Sequence, residues 1–104
     1  MSDDKAYPPP PSVPAFQRSQ VTLPKPLEID GDRAEHWKMW KQRWENYCVI
    51  TGLNNQPEDD KCALLLHSIG IEAMGIYTGM QFGKGEDHNK MADILAKYDQ
   101  HFQS

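Results

Sequence analysis

Proline is confined almost entirely to one end of this sequence, and that distribution limits what the chain can fold into. Seven of its eight prolines lie in residues 1–26, and only Pro57 follows. Proline fixes the backbone φ angle and cannot donate a backbone hydrogen bond, so a proline-rich stretch favours polyproline II structure over helices. We therefore expect a disordered proline-rich arm over residues 1–23 and one small folded domain over residues 24–104.

The arm contains two overlapping proline motifs. Pro8 and Pro11, and then Pro11 and Pro14, have the PxxP spacing that SH3-type domains bind. Such a short motif is also common in solvated linkers that bind nothing. The favoured interpretation of the arm is therefore a linker, with peptide recognition as the alternative.

A short extended segment is predicted where the arm meets the domain, in the stretch LPKPLEI. Pro24 and Pro26 prevent full sheet pairing there, because each lacks a backbone donor. Leu27 and Ile29 alternate with polar residues, so we expect both side chains to face the folded domain.

Four helices are predicted after this segment. Asp30 or Asp32 can cap the first one, and Gly52 is a typical residue just beyond a helix end. Within it, aromatic and small apolar residues recur at helical spacing along one stripe: Trp37, Trp40, Trp44, Tyr47, Cys48 and Thr51. Such a stripe usually lies in a protein core, so we expect the tryptophans to be core residues, with a ligand-binding surface as the alternative.

The other three helices follow from the same periodicity. The second is predicted from Pro57 to Gly70 and is apolar nearly all round, with Leu64 on the side opposite its main apolar face. The third is short and runs from Ile71 to about Thr78, and the fourth from about His88 to Phe102. Because no strand-length β-branched run follows Ile29, the fold class is predicted as all-α, a bundle of about four helices.

Charge and composition argue against several function classes. Eleven Lys and Arg against fifteen Asp and Glu give a net charge of -4, which disfavours direct nucleic-acid binding. The sequence shows no signal peptide pattern and no run of 18 apolar residues. A cytoplasmic protein with two reduced cysteines, and without membrane contact, is the expectation.

No combination of residues forms a recognisable catalytic or metal site. Cys48 and Cys62 lie on apolar helix faces, where a thiol behaves as a small hydrophobic group, so pairing either with His67 or His88 as nucleophile and base is disfavoured. Zinc sites need closely spaced ligand pairs, which are missing. We therefore expect no enzyme activity, no metal and no cofactor.

The chain resembles the N-terminal lobe of the capsid region of Gag from Ty3/gypsy-type retrotransposons and their domesticated descendants. The resemblance covers roughly residues 24–102, and the ordered set of motifs carries it. In chain order these are the PLEIDG stretch at 26–31, the helix with Trp37, Trp40, Trp44 and Tyr47, the Thr51-Gly52-Leu53 turn, the LLLH helix with Gly70-Ile71-Glu72-Ala73 after it, and the closing Leu95-Ala96-Lys97-Tyr98-Asp99 helix.

This resemblance implies a retroviral-type capsid fold and a structural role. Capsid lobes associate through weak, repeated surfaces into shells, and they catalyse nothing. The implied partners are further copies of the chain and the C-terminal lobe of Gag. The chain ends where that second lobe would begin, so a fragment or a shortened host gene product is expected.

Two surfaces are candidates for contacts. Three apolar residues are predicted to point away from the core faces of their helices and to form an assembly surface: Met39, Ile50 and Leu64. The resemblance to domesticated relatives suggests an aromatic groove that binds a proline-containing or extended peptide. The chain's own LPKPLEI segment is an alternative occupant of this groove. The candidate residues of the groove, or of the segment that occupies it, are Leu27, Ile29, Trp37, Trp40, Trp44 and Tyr47. The alternative function is thus a Gag-derived adaptor, which binds a partner peptide or interferes with capsid assembly. A more remote alternative is the dimerisation domain of a transcription factor.

Overall fold

The computed structural model describes residues 21–103, and these residues are all-α, as predicted. Four α-helices follow one another: α1 (Arg33–Thr51), α2 (Glu58–Ile69), α3 (Ile71–Thr78) and α4 (Met91–Phe102). A single 3-10 turn, Leu53–Asn55, joins α1 to α2, and no strand occurs in the described part of the chain. The prediction for the proline-rich arm falls, up to residue 20, outside the described residues.

Helix α1 begins and ends at the residues that local sequence signals indicate. The Asp32 carboxylate accepts a hydrogen bond from the Glu35 backbone N–H at 3.2 Å, which satisfies one of the free donors of the first turn. Gly52 ends the helix in the left-handed region, at a φ of 79°. One face of the helix is buried, as the aromatic stripe predicts: Trp37, Trp40, Trp44 and Cys48.

Helices α2 and α3 are separated by one residue. Gly70 has a φ of 97°, a conformation that favours glycine, and this lets the chain turn sharply between them. Helix α2 contacts both α3 and α4. Leu64 is therefore partly buried and packs against the core, which corrects the expectation that it points away from the core.

Helix α4 begins at Met91, three residues later than the predicted start at His88. The side chain of Asp87 accepts a hydrogen bond from the Asn89 backbone N–H at 2.8 Å, which forms a turn that competes with helical structure. The first free donor of α4, the Met91 N–H, is bound by the Glu58 carboxylate of α2 at 3.0 Å. A cap from another helix cannot be predicted from the local sequence.

The core forms around α4, which contacts both α1 and α2, and Leu27 of the extended segment belongs to it. Its largest fully buried side chains are Trp44, Tyr98, Leu65, Ile69, Ile94 and Cys48. The Tyr98 hydroxyl donates a hydrogen bond to the Ala73 carbonyl at 2.5 Å and so joins α4 to α3. Each helix turns its apolar side toward this core, and its other side forms the surface of the domain.

Candidate association surface

The aromatic residues of α1 form a continuous row. Ring centroids lie 6.0 Å apart between Trp37 and Trp40, 5.8 Å between Trp40 and Trp44, and 5.7 Å between Trp44 and Tyr47. These distances fall in the range at which aromatic pairs attract each other. The row is extended onto α4, because the Trp37 ring lies 5.2 Å from that of Tyr98. The tryptophans therefore pack mainly against each other and against α4.

The indole N–H groups of the three tryptophans have different environments. Trp37 donates to the Asp99 carboxylate at 2.8 Å, and Lys41 binds the other oxygen of that carboxylate at 2.9 Å. Trp40 donates to the Lys25 backbone carbonyl at 2.6 Å. The buried indole nitrogen of Trp44 has no hydrogen-bond partner among the described residues. The first bond joins α1 to α4, and the second fixes the extended segment on α1.

The extended segment before α1 crosses from α1 to the end of α2, and it is fixed at both ends of this crossing. The Leu27 backbone N–H donates to the Ile69 carbonyl at 3.0 Å, and the Leu27 side chain is buried. Pro26 lies directly against Gly70, since a Cβ atom placed on Gly70 would be only 2.7 Å from the Pro26 Cβ. The segment thus crosses Trp40 and reaches the junction of α2 and α3.

The six candidate groove residues lie in two places, the extended segment and helix α1. Leu27 and the partly buried Ile29 belong to the crossing segment itself. Trp37 donates its indole N–H to α4, whereas Trp40 donates its own to the extended segment. Trp44 has no exposed surface, and Tyr47 is half-buried beside it. The proposed binding of a peptide by these residues stays a prediction.

Two open grooves flank the segment along α1. The first, called the Met39 groove below, has a volume of about 460 Å³ and is lined by Lys25, Pro26, Leu27, Glu28, His36, Met39, Trp40 and Arg43. The second has a volume of about 440 Å³ and is lined by Val21, Thr22, Pro24, Arg43, Asn46, Tyr47 and Ile50. Arg43 stands between the two. The exposed Arg43 is shared by both grooves, and the first also carries the exposed charges of Lys25 and Glu28, so its lining has two positive charges and one negative charge.

The three residues predicted to form an assembly surface differ in exposure. Met39 is 59% exposed at the edge of the groove named after it. Ile50 is half-buried in the second groove, and Leu64 packs against the core. The structure does not bring the three side chains into one patch, and Met39 is the one that is free to contact another molecule.

Among residues 21–103, the most exposed large apolar side chain is Ile71, which is 82% exposed at the start of α3 and was not predicted as a surface residue. Met74, one turn later, is also exposed, as are Gly75 and Thr78 on the same side of the helix. We call these four residues the α3 outer face. Residues 71, 74, 75 and 78 fall away from the buried Ala73, which defines the inner face of α3, and the sequence alone does not show which side of this helix is buried.

The two thiols are shielded to different extents. Burial, reinforced by the negative charge of Glu45, raises the pKa of the Cys48 thiol to about 11. Burial, together with the carboxylates of Glu58 and Asp59, also raises the pKa of the Cys62 thiol, although this side chain is only half-buried. Because the thiolate is the reactive form, both cysteines are poor nucleophiles near neutral pH.

We expect a thiol reagent at about pH 8 to modify Cys62 slowly and Cys48 only after unfolding, since Cys48 is both inaccessible and protonated. Mass spectrometry of the native and the urea-unfolded protein checks this, with one modified thiol expected in the first sample and two in the second. A Cys62→Ser variant is the control and should stay unmodified while folded. Equal reaction rates of the two thiols would contradict the burial described for Cys48.

Comparisons of the chain with models of protein families, with curated proteins and with solved structures found no match. Within residues 21–103, every helix is too short or too polar to cross a membrane. The same residues contain no group of three histidine, cysteine or carboxylate side chains placed to hold a metal ion. The functional interpretation therefore depends on the residues and surfaces described above.

Proposed function

We propose that this chain is a structural assembly module, the N-terminal lobe of a Gag capsid of the Ty3/gypsy type or of a domesticated descendant, and that it works by self-association. The observation that carries the proposal is the exposure of large apolar side chains outside the core. Met39 is 59% exposed and Ile71 is 82% exposed, although the domain has few apolar residues to spare. Ile71 and Met74 lie one turn apart on α3 and are both exposed, and adjoining exposed apolar residues are typical of protein interaction sites.

The residues that carry the resemblance to Gag also make the contacts that hold this fold together, and this supports the proposal. Pro26 of the PLEIDG stretch packs on Gly70 of the LLLH motif. In the closing helix, Tyr98 binds α3 and Asp99 binds α1. The motifs that were recognised by their order along the chain are therefore also in contact with each other in the folded domain.

An assembly module of this kind needs no catalytic centre and no cofactor. Its partners would be further copies of the chain and the C-terminal lobe of Gag, and its location would be the cytoplasm. These assignments belong to the proposal and depend on the resemblance together with the exposed apolar surface.

A Gag-derived adaptor that binds an extended peptide is the second candidate, and the Met39 groove favours it. The groove is open, its volume of about 460 Å³ lies in the range of small-ligand sites, and Met39 and Trp40 supply apolar surface. However, the chain's own segment already covers Trp40, and its Lys25 carbonyl binds the indole N–H. A peptide would have to bind beside that segment or displace it.

Sedimentation velocity over a range of protein concentrations tests the proposal, with a Met39→Asp variant beside the unmodified chain. We expect the sedimentation coefficient of the unmodified chain to rise with concentration, and the rise to be reduced by an aspartate in the contact. Val49→Asp is the matched control, because Val49 is 67% exposed on the same helix and lines neither groove.

A sedimentation coefficient that stays constant up to the highest concentration would contradict self-association. Binding of a labelled proline-containing peptide by that monomer would then favour the adaptor. Loss of association in both aspartate variants would show that added charge alone, and not the loss of Met39, prevents it.

A further inference from the structure

The α3 outer face is an apolar surface without a partner in the described part of the chain. Ile71 and Met74 are one helical turn apart on it, and 82% and 39% of their surfaces are exposed. Their helix neighbours on the inner side are used by the fold, since Ala73 is buried and its carbonyl accepts the Tyr98 hydroxyl. The orientation of α3 is therefore fixed, and its apolar outer side is presented to the surroundings.

Gly75 lies in the middle of this face, and the fold of one chain does not explain it. Its φ is not positive, and a Cβ atom placed on it would have no described atom within 4 Å. Glycine weakens a helix interior relative to alanine. What glycine provides at an exposed helix position is room for another backbone to approach closely.

The Met39 groove has the complementary properties. It combines an apolar wall, Met39 and Trp40, with the exposed positive charges of Lys25 and Arg43, which outnumber the single negative charge of Glu28 in its lining. The α3 outer face combines its apolar residues with the exposed negative charge of Glu72 beside them. Charges of opposite sign on two surfaces of one chain favour contact between two copies of that chain.

The two surfaces are also neighbours. Pro26 lines the Met39 groove and packs against Gly70, the residue that directly precedes Ile71. The groove and the start of α3 therefore adjoin at this contact. Two different adjoining surfaces can each bind the other copy when the two copies are related by a two-fold axis.

We propose that a second copy of this chain docks the outer face of its α3 into the Met39 groove of the first, and that the two copies make this contact reciprocally about a two-fold axis. Ile71 and Met74 pack against Met39, Glu72 faces Lys25 and Arg43, and Gly75 allows the close approach. An eight-residue helix is only about 12 Å long, so the contact is small and the association is weak. This inference rests on the proposed self-association and names the surface that performs it.

Mixing two variants tests the contact directly. Ile71→Asp disables the α3 outer face and leaves the groove intact, whereas Met39→Asp disables the groove and leaves α3 intact. Both side chains are exposed, so both variants should fold, which circular dichroism checks. Each variant alone is expected to associate at least about tenfold more weakly than the unmodified chain.

An equal mixture should recover part of the association, because α3 of the Met39→Asp chain can dock into the groove of the Ile71→Asp chain. Sedimentation velocity with a fluorescent label on one variant shows whether a mixed dimer forms. No mixed dimer would overturn the proposed docking, since contacts of α3 with α3, or of groove with groove, cannot be restored by mixing.

A Gly75→Ala variant separates the interface from the stability of the fold. The alanine should raise the midpoint of thermal unfolding, because it favours the helix, and at the same time weaken self-association by about tenfold, because it blocks close approach. Gly83→Ala is the control, since Gly83 is exposed in the loop after α3, has no positive φ, and would place an added Cβ atom no closer than 3.5 Å to its nearest neighbour.

Two outcomes separate the docking contact from the assembly role. If the unmodified chain associates and the variants at Ile71, Met39 and Gly75 associate equally well, the docking is wrong and the assembly role stands. If the unmodified chain remains a monomer at every concentration, the assembly role itself is wrong, and the docking with it.

Discussion

Replacing Trp44 by alanine is expected to lower the free energy of unfolding by about 3–5 kcal/mol, the usual cost of removing a large buried aromatic side chain. Trp44 has no exposed surface and stacks between Trp40 and Tyr47, so its removal would leave a cavity in the middle of the aromatic row. A domain of this size has a total stability of roughly 4–12 kcal/mol, so much or all of it would be lost. Urea unfolding followed by circular dichroism measures the effect.

Trp44→Phe is the informative control. The indole nitrogen of Trp44 is buried without a partner among the described residues, and an unsatisfied buried donor costs about 1–3 kcal/mol. Phenylalanine retains much of the packing and removes that donor, so we expect less than half of the loss seen with alanine. A phenylalanine variant as unstable as the alanine variant would show that the indole N–H has a partner.

The second large effect is expected at Gly70. Alanine there would have to adopt a φ of 97°, which costs about 1–3 kcal/mol for a residue with a side chain. Its Cβ would also lie 2.7 Å from the Cβ of Pro26 and push the extended segment off the helices. We expect a loss of about 2–4 kcal/mol in the free energy of unfolding. A change in tryptophan fluorescence should accompany it, because Trp40 loses its bond to the Lys25 carbonyl.

The same substitution at Gly75 should act in the opposite direction. Gly75 has neither a positive φ nor a close neighbour, so alanine should stabilise the monomer by about 0.5–1 kcal/mol. Thermal unfolding at a low protein concentration compares the two variants without interference from association. Stability changes of the same sign at both glycines would contradict the account of the segment and of α3.

The helices themselves could be predicted because their signals are local. Asp32 caps α1 and Gly52 ends it in the left-handed conformation, as the residue types indicate. The aromatic period of α1 correctly predicted which side is buried, because only one side of that helix faces the other elements. Local sequence signals predict a helix well when the helix packs on one side only and its ends are capped by residues next to it in the sequence.

The errors arose where contacts from distant residues decide the structure. The start of α4 is set by a carboxylate of α2, Glu58, and by the turn at Asp87. The burial of Leu64 follows from α2 having two helical neighbours, a fact that the period of α2 alone does not contain. Both features depend on tertiary packing.

The candidate surface could be predicted only in part. Met39 was recognised because it departs from the apolar stripe of α1, but the groove beside it exists only once the segment from Lys25 to Glu28 lies on α1. The exposure of Ile71 depends on which side of α3 receives the Tyr98 hydroxyl. Three tryptophans at regular spacing gave no indication of their three different hydrogen-bond environments.

Self-association of the unmodified chain can be followed residue by residue in a concentration series of two-dimensional ¹H–¹⁵N NMR spectra. A range from about 0.05 mM to about 1 mM spans the weak association expected of a small interface. Self-association through the proposed surface predicts that amide signals of residues 25, 27, 28, 39–43 and 71–78 shift together with concentration, while those on the outer side of α4 stay in place; Pro26 has no amide proton. Spectra that do not change over this range, or shifts confined to other parts of the chain, would contradict the account.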